Sequence, residues 1–232
     1  MKKHLPWIIF AVLVLIFIAA LPSSVTIVPI AQVEARQQSE KFDPVAYVDG
    51  IWESRLVPDV QEKAVDLAAI LGQIEVDANG KAKKEQLVEI AKANGLITVG
   101  EAHVYMVKGK GEIVAVDDTS RVGTLTLKVQ GYDGPITVKL YIGPRIPSDE
   151  TAVRDAVGFV NFGDFRDQTE FGKVASEINK RVANQVLGGL DKTSLEGKTI
   201  TFYGAMSVRT FNLPEIDMHE IVIVPIVVEV SE

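Results

Sequence analysis

The sequence contains no cysteine. That excludes disulfides, thiol nucleophiles, cysteine-ligated metals and a lipid carried on an N-terminal cysteine. Histidine is almost as scarce. His4, His103 and His219 are far apart in the chain, and a lone histidine in or beside a strand is ordinarily structural. No serine sits in a nucleophile elbow, and Met218-His219-Glu220 lacks the second histidine of a zinc-protease helix. The run KGKG at 108–111 lacks the wider glycine spacing and the Lys-Ser/Thr ending of a phosphate loop. Positive charge is in deficit. The net charge of −7 becomes −9 once Lys2 and Lys3, ahead of an apolar segment, are set aside. Such a surface repels phosphate backbones, which argues against generic nucleic-acid binding. With 47% hydrophobic and 24% charged residues, the chain is an ordinary folded protein with no disordered tract of consequence.

What is present is clearest between residues 111 and 143. In TLTLKVQ, Leu125, Leu127 and Val129 alternate with Thr124, Thr126, Lys128 and Gln130. In ITVKLYI, Ile136, Val138, Leu140 and Ile142 alternate with Thr137, Lys139 and Tyr141. Period-2 alternation of this kind predicts two half-buried strands, and Gly131-Tyr132-Asp133-Gly134-Pro135 between them reads as a hairpin loop. Residues 103–108 and 111–117 read as one long strand bent at Gly109 and Gly111.

The N-terminus carries an address. Residues 5–21 are apolar apart from Pro6. As a helix they span about 26 Å, slightly short of a hydrocarbon core of about 30 Å. Lysines lie only on the N-terminal side, so the positive-inside bias puts the bulk of the chain outside the cytoplasm. An uncleaved signal anchor is the expected reading, single-pass in the inner membrane. A cleaved signal peptide competes with it, although Ile18-Ala19-Ala20 offers no clean small-x-small site.

The expected organisation is an anchor at 1–30, a juxtamembrane spacer at 31–41, a helical region at 42–100 and a β domain at 101–232 with a helical insertion at 151–188. In the helical region, Asp43-Pro44 reads as N-cap and N1, with the helix stopping before Pro58. A second helix is expected at about 59–76. A third, at 81–93, should be closed by Asn94-Gly95. Lys81, Lys83 and Lys84 read as a solvated face. A helix at 170–187 carries Val174, Ile178, Val182 and Val186 on one stripe. GKTITFYGAM and HEIVIVPIVVEV supply two closing strands, the second slipping at Pro225. Three strands, a helix and two strands is the element order of an oligonucleotide/oligosaccharide-binding (OB) barrel. The predicted fold class is therefore α+β: a membrane helix, a three-helix region and an OB-like five-stranded β-barrel with a helix between strands three and four. A small antiparallel sandwich of the same order is the alternative.

The segments FDPVAYVDGIWESRLVP, VDDTSRVGTLTLKV, IGPRI, TAVRDAVGFVNFGDF and GKTITFYGA resemble a bacterial family known only as predicted periplasmic lipoproteins of unknown function. The resemblance covers nearly everything after Lys41. It implies an extracytoplasmic, membrane-tethered protein, often encoded near sugar-uptake ABC transporters, and no established activity. With no cysteine to carry a lipid, the apolar segment itself would be the tether here.

The candidate site is RDAVGFVNFGDFRDQ, residues 154–168. Arg154, Asp155, Asn161, Asp164 and Gln168 accompany Phe162 and Phe165, and polar groups beside aromatic faces suit a sugar or a peptide. Arg121 and Arg145, at strand ends, are candidate members of the same site. The competing reading has the phenylalanines plugging one end of the barrel while Arg154 and Asp155 make structural pairs. Asp149, Glu150 and Asp155 form a carboxylate group of the kind glycosidases use, but turn and helix-start acids are the favoured reading. No cofactor and no enzymatic activity are expected. Two functions remain: a membrane-anchored ligand-binding or accessory module, serving an ABC transporter component or a cell-envelope ligand, or an envelope scaffold that docks a partner.

Overall fold

The computed structural model describes residues 42–231. The expected anchor and the whole expected spacer lie outside the described residues. Among those described, no helix is long and apolar enough to cross a membrane.

The chain enters a helical rod at Asp43, whose carboxylate accepts from the Val45 and Ala46 amides. Helix α1 is Pro44–Ile51, a π-helical turn covers Trp52–Leu56, and α2 is Val57–Lys63. The expected stop before Pro58 does not occur. The Val57 amide reaches back to the Trp52 carbonyl across five residues, and the widened turn gives the proline ring room on the helix. The same turn explains the burial. Val48, Trp52, Leu56 and Val60 are all buried, yet a four-residue step overshoots a 3.6-residue turn by about 40°. The wider turn takes up that excess and keeps the stripe on one side.

The expected second helix is broken after Ala64. Strand β1, Val65–Asp66, intervenes and pairs in parallel with Val107 and Lys108. Asp66 then caps α3, Leu67–Leu71, by accepting from the Ala69 amide. The expected third helix is likewise shortened. Lys81–Lys83 form β2, α4 runs Lys84–Asn94, and Leu96–Ile97 form β3. Gly95 is extended (φ −152°) rather than left-handed. A glycine is needed there because a Cβ would strike the Val104 carbonyl oxygen.

Strand β4, Ala102–Asp117, is one continuous element, followed by β5, Thr124–Val129, and β6, Thr137–Tyr141. After α5, Ala152–Ala156, a 3-10 turn at Phe162–Asp164 leads into α6, Gln168–Arg181, which ends in a π turn at Val182–Val186. Strand β7 is Thr199–Arg209, β8 is Glu215–Asp217 and β9 is Glu220–Ser231. β8 pairs with β2, a ladder missed by periodicity because each strand is only three residues long.

The main sheet has seven strands, not the five expected, because β1 and β3 both add to β4. Within it β4 pairs with β5, β5 with β6, β6 with β9, β9 with β7 and β7 with β4, so the pairings form a cycle. β6 and β9 are parallel and the other four pairings are antiparallel. Two register shifts bend it: Val114 is extra against β5, and Ile226 is extra against β7 beside Pro225. One face packs Tyr105, Ile113, Leu125, Leu140, Phe202 and Ile223 into a single core with Leu67 and Leu87. Val104, Ala205 and Val224, of opposite parity on the same strands, are also buried. That second face carries α5 and α2, while α1 packs on α6, so β4, β7 and β9 are covered on both sides.

Candidate functional site

The segment 154–168 folds back on α6, and most of its polar groups are used internally. Arg154 is buried on α5. Its Nε and Nη2 bond the Asp155 carboxylate at 2.8 and 2.7 Å, and Nη1 donates to the Phe171 carbonyl at 3.2 Å. Its guanidinium lies 3.6 Å over the Phe171 ring. Asn161 and Asp164 cap the 3-10 turn reciprocally. Phe165 meets the Tyr47 and Phe171 rings at 5.3 and 5.6 Å, while Phe162 meets Phe171 edge-on and remains exposed. Gln168 opens α6 on the surface. This is an arginine held by an acid, a carbonyl and an aromatic face, which is how a loop is fastened to a helix.

Arg121 and Arg145 are joined to each other: the Arg145 amide donates to the Arg121 carbonyl at 3.1 Å. Arg145 lines a cleft beside Ser176, Asn179 and Ala183 on the second half of α6 and its π turn. Arg154 sits at Phe171, near the start of that helix. Of the residues expected to form one site, the structure brings Arg154, Asp155, Asn161, Phe162, Asp164 and Phe165 around Phe171 and Tyr47. It places Arg145 in a different cleft.

A cleft of about 520 Å³ lies elsewhere. Strands β7 and β9 pair only as far as Met206 and Ile223. Beyond that point they part, and Ser207–Arg209 and Glu220–Val222 become opposite walls. The floor is apolar, with Val208, Ile216, Met218 and Ile221. Tyr141 at the end of β6 and Asp149 and Glu150 of the following loop complete it. That loop is positioned by buried Asn179, whose amide donates to the Pro147 and Glu150 carbonyls at 3.3 and 2.8 Å. Arg209 Nη2 donates to the Asp149 carbonyl at 2.9 Å. β8 sets Asp217 at the rim, where it bonds His219 Nδ1 at 2.6 Å, and Glu220 pairs with Lys139 at 2.7 Å.

Burial is the main influence on the ionisable groups inside. It raises the Glu150 carboxyl above its ordinary range, against the lowering effect of the Ala152 amide and Arg209. Burial, with Glu150 and Asp149 nearby, pushes the Tyr141 phenol up to about 12. The His219 amide and imidazole hold exposed Asp217 below its usual range. An apolar floor with converging acceptors, a phenol and one guanidinium is the composition of a small-molecule pocket. Glu150 was visible in the sequence as a turn acid. Arg209 and Asp217 were not distinguishable, because what brings them to Glu150 is strand pairing between distant segments.

Residues 14–229 match the family described as predicted periplasmic lipoprotein (DUF2291). The chain belongs to this family. Membership makes it an extracytoplasmic, membrane-associated protein, although it departs from the lipoprotein description in having no cysteine. No curated protein matches it. Among solved structures, it is similar to an OB-fold protein from Thermotoga maritima, determined by crystallography at 1.90 Å. The two share 21% identity over 83% of this chain and all of the other, with a TM-score of 0.61. The likeness bears on fold alone, and it agrees with the cyclic pairing that places α6 between β6 and β7.

Proposed function

We propose that this member of the periplasmic lipoprotein family is a non-catalytic binding module, held at the outer face of the inner membrane by its apolar N-terminal segment. It presents the β7–β9 cleft to a hydroxyl-bearing ligand of the cell envelope, a sugar being the best match, and works as an accessory to a transporter component. The observation that carries this reading is the parting of β7 from β9 after Met206, which opens an apolar floor between Arg209 and Glu150. The rim carboxylates already have cationic or imidazole partners, so they can accept hydrogen bonds from hydroxyls without demanding a charged ligand.

Two of the groups that chemistry could use are engaged in structural bonds away from the cleft, which supports the non-catalytic reading. Asp155 is held by Arg154, and His103 is buried against Thr210. The test is a thermal-unfolding screen of the full chain in detergent against sugars, cell-wall fragments and short peptides. A ligand at a hundred times its dissociation constant adds about 2.7 kcal/mol. A saturable shift lost in Arg209→Ala and kept in Arg145→Ala supports the cleft. A shift lost only in Arg145→Ala moves the site to the α6 cleft, and no shift with any ligand removes the binding reading.

A further inference from the structure

Exposed large apolar side chains are not scattered evenly. Among the described residues there are eight, and five of them, Leu96, Ile97, Val99, Phe211 and Leu213, lie in two neighbouring segments. One is the β3–β4 hairpin, closed by Glu101 N–H donating to the Thr98 carbonyl. The other is the loop leaving β7. Thr210 ties them together: its amide and its hydroxyl both donate to the Glu101 carbonyl, at 3.2 and 2.6 Å. Lys84 closes the group from the side, its ammonium 2.5 Å from Glu101 and its amide donating to the Pro214 carbonyl.

The backbone shapes both loops. Only two non-glycine residues among those described have positive φ: Glu101 at 56° and Asn212 at 55°. One lies in each of these loops. A residue of this conformation ordinarily closes a three-residue hairpin loop, as Glu101 does after Val99 and Gly100, and asparagine tolerates it at position 212. Here they turn each chain sharply at its tip, so that Val99 is fully exposed and Phe211 is 61% exposed.

We propose that these paired loops insert into the surface of a lipid bilayer. Their chemistry favours lipid over protein. The exposed side chains are mainly aliphatic, whereas protein hot spots are centred on Trp, Tyr and Arg seated in packed pockets, with Leu and Val under-represented. Apolar contact rather than charge drives the insertion, because the chain is strongly acidic and Lys84 is already paired with Glu101. A bilayer is within reach. The 21 residues that follow Leu21, up to Phe42, extend to at most about 75 Å, and a domain of this size is roughly 40 Å across. This proximity rests on the tethered reading above, while the loop geometry does not.

The full chain has no cysteine, so single nitroxide labels at Val99→Cys, Phe211→Cys, Val114→Cys and Trp7→Cys can be compared in vesicles of phosphatidylethanolamine and phosphatidylglycerol. Insertion predicts that Val99 and Phe211 become more accessible to oxygen than to a water-soluble nickel chelate. Val114, an exposed apolar residue near the other end of β4, should stay aqueous. The pattern should persist in high salt and without the anionic lipid. Trp7 reports the tether separately. Aqueous loop labels with a lipid signal at Trp7 overturn loop insertion and leave the tether standing. A lipid signal at the loops with an aqueous Trp7 does the reverse. Loop labels shielded from both reagents would assign the surface to a protein partner or a second copy, and would also overturn the proposal. Val99→Glu should reduce the oxygen preference at Phe211 several-fold without altering thermal unfolding in detergent.

Discussion

The Arg154 guanidinium lies over the Phe171 ring at 3.6 Å while its Nε and Nη2 hold the adjacent Asp155 carboxylate. The pair is nearly closed to solvent, with side-chain exposures of 9% and 13%. Arg154→Ala would strand a buried carboxylate, and losing one partner of such a pair costs about 3–5 kcal/mol. Urea unfolding should show that loss. Arg154→Lys, which keeps the charge but not the planar fork, should recover part of it. Ligand affinity of the folded fraction at the β7–β9 cleft should not change. A variant that folds normally but binds poorly would return Arg154 to the binding machinery.

Gly143 tests how the loop after β6 is anchored. A Cβ at this position would overlap the carbonyl oxygens of Val122 and Arg121, which belong to the turn before β5. Both obstacles are backbone, so neither can swing aside. Gly143→Ala should cost about 3 kcal/mol or more. Gly163→Ala, in the 3-10 turn with nothing within 4 Å of the added methyl, should stay within about 0.5 kcal/mol. Thermal unfolding of the two variants side by side measures the contrast.

Much of the strand framework was legible because a period of two survives in the residues themselves, as in TLTLKVQ and ITVKLYI. The continuity of β4 through Gly109 and Gly111 and the slip at Pro225 were legible for the same reason. The helical region was less so. Ala64-Val65-Asp66 carries no breaker, and only the free edge of β4 turns it into a strand. The rod persists through Pro58 because a π turn has opened ahead of it, which propensity does not foresee. The candidate site divided similarly. A run of arginine, acids and phenylalanines looks like recognition chemistry, yet Phe171, just beyond it, converts the run into a fastening. The cleft at β7 and β9 depends on where two strands stop pairing, and no residue type marks that point.

Glu150 gives the first pH signature. Its folded-state carboxyl is raised above the unfolded value of 4.5 because burial disfavours the charged form. The folded state therefore holds its proton longer, so stability is greatest below 4.5 and declines as pH rises through the folded value. Glu150→Gln retains an acceptor for the Ala152 amide and carries no charge. It should unfold at a higher temperature than wild type at pH 7, with the difference vanishing below pH 4.5. A constant offset at all pH values would mean that charge burial is not the cause.

His103 gives a second signature of opposite sign. The Thr210 hydroxyl spends its proton on the Glu101 carbonyl at 2.6 Å, so its oxygen can accept from His103 Nε2 at 3.3 Å. That assigns the imidazole proton to Nε2 and leaves Nδ1 a bare acceptor, buried and without a partner. Burial, helped by Lys84, pushes this histidine below its ordinary 6.5. Above 6.5 both states are neutral and the contribution is fully present. As pH falls from 6.5 toward the folded value, the unfolded chain takes up a proton that the folded chain refuses, and stability drops. The slope from one such group is at most about 1.4 kcal/mol per pH unit. His103→Gln can still donate to Thr210 and cannot protonate. The variant should lose the decline below pH 6.5, and urea unfolding across that range would show its curve flat where the wild type falls. An equal decline in both proteins would place the titrating group elsewhere.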